Sequence, residues 1–347
     1  MDEVASEAAL FEDLAQKLHG VVPELELWEK ARLAHEILQL KRERNAIVLA
    51  HNYMEPALYL SIPDYAGDSL ELARMAAETD RDVIVFCGVR FMAETAKILN
   101  PSKKVLLPSA KGGCSLASSI TAEDVRKLRE RFPGVPIVAY VNTHADVKAE
   151  VDICCTSGNA AKVVDSIDSD TVIFVPDEYL ARNVAAETGK RILFPTAGEG
   201  RDPAGSTGDK LIGWPGRCEV HELFMPDDVA SVRKQFPDVT VLAHPECSPE
   251  VVEAADFTGS TSAMIRHVRE ADAQRYLLLT ECSMGDNIAA ANPDKELLRL
   301  CSHRCPHMNE ITLEDTLAAL RFDRYEIEVP EEIRVRAARS LERMLAV

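Results

Sequence analysis

From residue 45 to residue 310 the chain alternates short apolar runs, rich in valine, isoleucine and leucine, with longer stretches whose apolar positions recur at helical spacing. The short runs fit strands buried on both faces and the longer stretches fit amphipathic helices, so the alternation predicts parallel sheets built from β–α–β units. The flanks read differently. Residues 5–44 form two predicted helices interrupted at Gly20–Pro23, and the C-terminal run PEEIRVRAARSLERMLAV from Pro330 forms another, with proline leading and acids in its first turn.

One order of features occurs three times. First strands AIVLAHNY (46–53), PIVAYVNTH (136–144) and VTVLAHPE (239–246) end in polar groups: His51 and Tyr53, Tyr140 and Asn142, His244 and Glu246. A small, hydroxyl-rich turn then opens a helix at GDSLELA (67–73), TSGNAAKVV (156–164) and GSTSAMIRHV (259–268). Second strands follow at DVIVFCG (82–88), DTVIFVP (170–176) and RYLLLTEC (275–282). A third apolar segment leads each time to a cysteine: KVLLPSAKGGC to Cys114, RILFPTAG and a long loop to Cys218, and LLRLCSHRC to Cys305. Cys114 stands 63 residues after His51, Cys218 76 after Asn142 and Cys305 61 after His244, the middle unit being lengthened by a Gly/Pro-rich insertion. The spacing predicts three pseudo-threefold-related α/β domains of about 90–100 residues, far longer than solenoid repeats. Their bounds are 45–134, 135–237 and 238–310, preceded by N-terminal helices over 1–44 and followed by a closing segment over 311–347.

Parallel α/β units bind ligands at the carboxyl ends of their strands. Three units sharing an axis therefore carry three strand ends, three helix openings and three cysteines to one central cavity. Three thiols without a fourth protein ligand suit a soft metal with an open position, either a [4Fe–4S] cluster with one free iron or Zn²⁺; ordinary core cysteines are the remaining reading. Asp68-Ser69, Thr156-Ser157 and Ser260-Thr261 offer hydroxyls and free backbone N–H groups at helix openings, as caps or as cradles for a polyanionic small molecule.

Composition narrows the partners. Against 39 basic residues stand 57 acidic ones, a net charge of −18, and no basic run interleaved with aromatics interrupts that field, so nucleic acid is not an expected partner. An apolar share of 46% excludes global disorder. No apolar run approaches the ~18 residues of a membrane span and the N-terminus lacks a secretory pattern, which predicts a cytoplasmic protein. In that reducing compartment disulfides are the least expected state of the nine cysteines.

The strings AHNYMEP, GDSLELA, CGVRFMAETAKIL, GGCSLA, YVNT, TSGNA, WPGRCEVHE, AHPE, FTGSTSAM and CPHMNEITLEDTL resemble the quinolinate synthase family, the iron–sulfur enzymes of de novo NAD biosynthesis, from about residue 45 to the end. The resemblance implies three α/β domains around an oxygen-sensitive [4Fe–4S] cluster, and condensation of iminoaspartate with dihydroxyacetone phosphate to quinolinate, phosphate and water. It carries the cluster ligands onto Cys114, Cys218 and Cys305, and the substrate shell onto His51, Tyr53, Ser69, Tyr140, Asn142, Ser157, His244, Glu246, Ser260 and Thr261. Among these, Glu246 and Tyr53 are read as proton-transfer groups, and His51 and His244 as donors that orient oxygens. It also implies a functional link to an L-aspartate oxidase that supplies iminoaspartate.

Three departures stand out: the insertion between Pro195 and Trp214, read as a surface loop or lid; Ser118 where an acid is expected; and Cys301-x₃-Cys305 in place of a CxxCxxC run. Cys87, Cys247, Cys282 and the Cys154-Cys155 pair read as reduced packing thiols. His144, His303 and His307 read as structural, with His221 beside Cys218 the exception. The competing functions are another non-redox iron–sulfur hydro-lyase acting on a small polycarboxylate, and an iron–sulfur sensor or binding module.

Overall fold

The three strand sets form three separate sheets in a computed structural model that describes residues 4–195 and 209–347. In the first sheet the order is β2 (Tyr65–Gly67), β1 (Ala46–His51), β3 (Val83–Cys87), β4 (Lys104–Leu106). The third repeats it as β11 (Phe257–Thr258), β10 (Thr240–Ala243), β12 (Arg275–Leu279), β13 (Glu296–Arg299). The second runs β6 (Ile153–Cys155), β5 (Ile137–Tyr140), β7 (Thr171–Val175), β9 (Lys210–Gly213), β8 (Arg191–Leu193). Neighbouring strands in each sheet are parallel, and the fold is α/β with threefold repetition.

Central strands covered on both faces need apolar side chains on both. β1 is buried along its whole length, with Val48 and Leu49 fully so, and each such side chain contributes about 1.5–3 kcal/mol. Register is set by like pairs such as Ile47 opposite Ile84 and Val48 opposite Val85.

Two features depart from the sequence reading. A short strand, β2, β6 or β11, lies between each first strand and its helix opening. In the second unit β9, from within the insertion, takes the place beside β7 and displaces β8 to the edge. Residues 196–208, where a loop or lid is expected, lie outside the described residues.

The flanking helices brace the units. Helices Glu7–Lys17 and Glu24–Glu43 pack on each other, and Leu313–Phe322 packs on the second of them and on β3. The last helix, Glu331–Leu345, lies against β6 and the short helix Ala145–Lys148, where Ser340 Oγ donates to Lys148 O (2.9 Å). No helix among the described residues is long and apolar enough to cross a membrane.

Candidate active site

The ends of β1, β5 and β10 meet at one cavity, and His51, Tyr53, Tyr140, Asn142, His244 and Glu246 all line it. Only His51 and Tyr140 end their strands; Tyr53, Asn142, His244 and Glu246 lie just past the strand ends, where turns at His51–Met54 and His244–Cys247 carry Tyr53 and Glu246 into the cavity. All six are buried except Asn142, which is half-buried.

The loops of units one and three are built alike. Tyr53 N–H donates to His51 Nδ1 (3.2 Å) and Met54 N–H to His51 O (3.0 Å); Glu246 N–H donates to His244 Nδ1 (3.3 Å) and Cys247 N–H to His244 O (2.9 Å). A backbone N–H only donates, so Nδ1 accepts and the neutral ring carries its proton on Nε2. For His244 that Nε2 lies 3.3 Å from Ser157 Oγ. Burial pushes His51 down to about 4 and His244 to about 3, so both rings are neutral donors at physiological pH.

Glu246 collects the donors. Tyr140 OH donates to its Oε1 (2.5 Å), Asn142 Nδ2 lies 3.4 Å from the same oxygen, and His221 Nδ1 is 2.7 Å from Oε2. Burial works to raise the carboxyl, but His221 above all, with the Tyr140 hydroxyl, outweighs it and holds Glu246 below the usual carboxylate range. Burial, reinforced by the facing carboxylate, keeps the Tyr53 and Tyr140 phenols protonated. On its far side His221 Nε2 is 3.0 Å from Thr280 Oγ1, which is 2.5 Å from Tyr53 OH. A hydrogen-bonded path thus joins Glu246, His221, Thr280 and Tyr53. Asn142 Oδ1 is buried without a partner; whichever way its amide is turned, one polar atom remains for a ligand.

Cys114, Cys218 and Cys305 line the same cavity. Burial pushes Cys114 up to about 12, Cys305 to about 11, and Cys218 well above the usual thiol range, so ionising them requires a nearby cation. The described trio whose donor atoms lie within 4.8 Å of one another is Cys218, His221 and Glu246, not the three thiols. Ligands of a single Zn²⁺, with Zn–S bonds of about 2.3 Å, sit roughly 3.8 Å apart. The wider spread of the sulfurs suits a larger body, and the donor set fits a cubane.

Residues 35–346 match the family model described as NadA, quinolinate synthetase A protein. Quinolinate synthase 2 of Mesorhizobium japonicum is 50% identical over 347 residues, covering all of both chains. Quinolinate synthase of Xylella fastidiosa is 53% identical over 311 residues, 90% of this chain and 86% of its own, and that of Agrobacterium fabrum is 50% identical over 347 residues, 100% and 94%. The chain belongs to the quinolinate synthase family.

Within this quinolinate synthase family fold, Ser69, Ser157 and Thr261 line the central cavity beside the strand ends, whereas Ser260 lines a second cavity between units two and three. Ser260 is the helix cap: its Oγ accepts Ala263 N–H (3.3 Å). Disulfides are the least expected state of the cysteines, yet Cys282 and Cys301 are bonded. The start of helix Cys282–Ala291 and the loop after β13 bring Cα atoms 19 residues apart in sequence to 5.1 Å. Cys305 is left free and in the cavity, which separates the two cysteines of the Cys301-x₃-Cys305 run. Sequence reasoning missed Thr280, and also Glu281, a cavity residue that burial raises to about 7 and that caps Cys282–Ala291 through Ser283 N–H (2.7 Å). Their one sequence signal is the polar end of RYLLLTEC, the second strand of unit three. His307 also faces the cavity, with Nε2 3.1 Å from Glu219 Oε1.

Proposed function

We propose that this chain is an enzyme of NAD biosynthesis that condenses iminoaspartate with dihydroxyacetone phosphate to quinolinate, phosphate and water, with a [4Fe–4S] cluster held by Cys114, Cys218 and Cys305. The observation that carries the reading is the meeting, in one cavity, of three free cysteines with three polar strand ends. When bound, the cluster supplies an open iron that polarises a hydroxyl or carbonyl oxygen without net redox change.

The protein's own groups do the rest. Ser69, Ser157 and Thr261 hold the anionic groups of the substrates, which carry two carboxylates and one phosphate between them. Neutral His51 and His244 donate from Nε2 to substrate oxygens. The Glu246 carboxylate accepts protons released as the new bonds form, and the Tyr53 phenol returns one to a departing oxygen, with His221 and Thr280 connecting the two. The source of the iminoaspartate is the expected functional partner, an L-aspartate oxidase, and the cytoplasm is the expected compartment.

The compact Cys218, His221 and Glu246 trio supports a second reading, a single-ion site. One assay addresses both. Protein purified without oxygen, with metal content determined, is supplied with iminoaspartate and dihydroxyacetone phosphate. Iron-dependent formation of quinolinate is expected; no quinolinate from iron- and sulfide-replete protein overturns the reaction, and activity with zinc alone overturns the cluster.

A further inference from the structure

The three strand-end segments share a support that the side-chain chemistry does not require. In each, the carbonyls on either side of the second cavity residue converge on one side-chain nitrogen. Asn287 Nδ2 donates to Asn52 O (3.1 Å) and Met54 O (3.0 Å), bracketing Tyr53. Asn183 Nδ2 donates to Pro245 O (2.8 Å) and Cys247 O (3.0 Å), bracketing Glu246. Lys148 Nζ donates to Val141 O (2.8 Å) and to Thr143 O, bracketing Asn142.

The two asparagines are structural equivalents. Each is the sixth residue of the helix that follows its unit's second strand, Glu178–Thr188 and Cys282–Ala291, and each reaches across to the next unit's first-strand loop. The corresponding residue of helix Arg90–Leu99 is Thr95, whose hydroxyl is spent on Phe91 O of its own helix (2.8 Å). At that interface the fully buried Lys148, from within unit two, takes over the carbonyl pair. Glu94, one position earlier in the helix, still crosses the boundary and accepts Ala145 N–H (3.0 Å).

We infer that Asn183, Asn287 and Lys148 are positioning residues, each fixing both peptide groups around one working side chain so that its aim into the cavity is set by a neighbouring helix. A side chain directed inward turns the flanking carbonyls outward, and a buried carbonyl without a donor is costly. One nitrogen with two protons satisfies both and leaves the backbone between them little freedom. The inference rests on the reading of Glu246 and Tyr53 as proton-transfer groups, but the restraint itself is independent of the reaction.

Asn183 is the place to test it, because it is half-buried and borders the second cavity, of about 720 Å³, where water replaces a lost group without collapse of the fold. Asn183→Asp keeps the shape but turns an oxygen on the two carbonyls, and Asn183→Ala removes the contact. In both, amide exchange at Glu246 and Cys247 is expected to speed up while the rest of unit three is unchanged. With iron content as in the wild type, kcat falls by ~10- to 100-fold, the scale of an ångström misplacement, more in Asn183→Asp than in Asn183→Ala, while KM moves less than about threefold. Unchanged exchange and wild-type kcat in either folded variant overturns the inference. Faster exchange in variants of a wild type that itself makes no quinolinate overturns the reaction assignment and leaves the positioning role standing.

Discussion

On the proposed reading Glu246 acts as a base while buried, and its neighbours keep it ionised there. Three donor groups, from Tyr140, Asn142 and His221, address its two oxygens, and His221 above all keeps the carboxylate charged against the burial that would neutralise it. Glu246→Gln is nearly isosteric and keeps a hydrogen-bonding role, but it does not take up a proton. It is expected to retain iron and fold while losing at least ~10²-fold in turnover, the lower range for general acid–base catalysis. Near-normal turnover in the cluster-replete variant would move the base elsewhere. Thr280→Val removes the short link between the Tyr53 hydroxyl and His221 Nε2 and leaves only their direct 3.4 Å contact. A fall in kcat of ~10-fold or more, with KM little changed, is the expected signature; an unaltered kcat argues that the route through Thr280 is not used. The pair His244 and Glu246 is legible in the sequence because polar residues directly follow an apolar strand run, although a turn after Ala243, not strand alternation, aims both into the cavity. Thr280 is not, because its partners Tyr53 and His221 are 227 and 59 residues away and no local pattern marks a hydroxyl that joins them.

Helix openings and the elements around them act at the next scale. Asp68 caps helix Ser69–Glu78 by accepting Leu70 and Glu71 N–H, and Ser260 caps Thr261–Glu270. In the third unit the cap, Ser260, and the cavity residue, Thr261, are therefore different residues, whereas in the first both Asp68 and Ser69 line the cavity, a difference that composition alone does not reveal. Ser69→Ala, Ser157→Ala and Thr261→Ala should each weaken product binding by roughly 10- to 150-fold, the value of a hydrogen bond to a charged group, with iron content constant. Unaltered titration curves in all three would leave them without a ligand-binding role. Glu94 offers a pH test of the boundary between units one and two. Burial works to raise its carboxyl, but His144, Arg90 and Lys148 bring it to about 2, below the ordinary 4.5. Because the folded state holds this group ionised more strongly than the unfolded one, its contribution is full above about pH 4.5 and is lost as pH falls toward 2. The difference in unfolding free energy between wild type and Glu94→Gln should thus be largest above pH 5 and shrink toward pH 3, on the order of 2–3 kcal/mol at its fullest. A difference independent of pH would contradict it. The three main strands of each unit are readable from their apolar runs. The two- and three-residue strands β2, β6 and β11, and β9 inside a Gly/Pro-rich insertion, are too short to show a period, and pairing with a neighbour makes them strands.

Across the whole molecule, repetition substitutes for proximity in sequence. Cys114, Cys218 and Cys305 stand more than 80 residues apart, yet equivalent places in three like units make them neighbours around one cavity. That convergence is legible because the order of strand, helix opening, second strand and cysteine is the same three times. The Cys282–Cys301 bond is not, since it depends on how the start of a helix meets the loop after β13 within one unit. The central claim is that these three cysteines, and no others, hold one cubane. Iron and inorganic sulfide are to be counted in protein purified without oxygen, for the wild type and for Cys114→Ala, Cys218→Ala, Cys305→Ala and Cys87→Ala. About four of each per chain is expected in the wild type and in Cys87→Ala, with severe depletion in the other three. Full iron and sulfide in any of those three variants, or stoichiometric zinc in a colourless active wild type, would contradict the account.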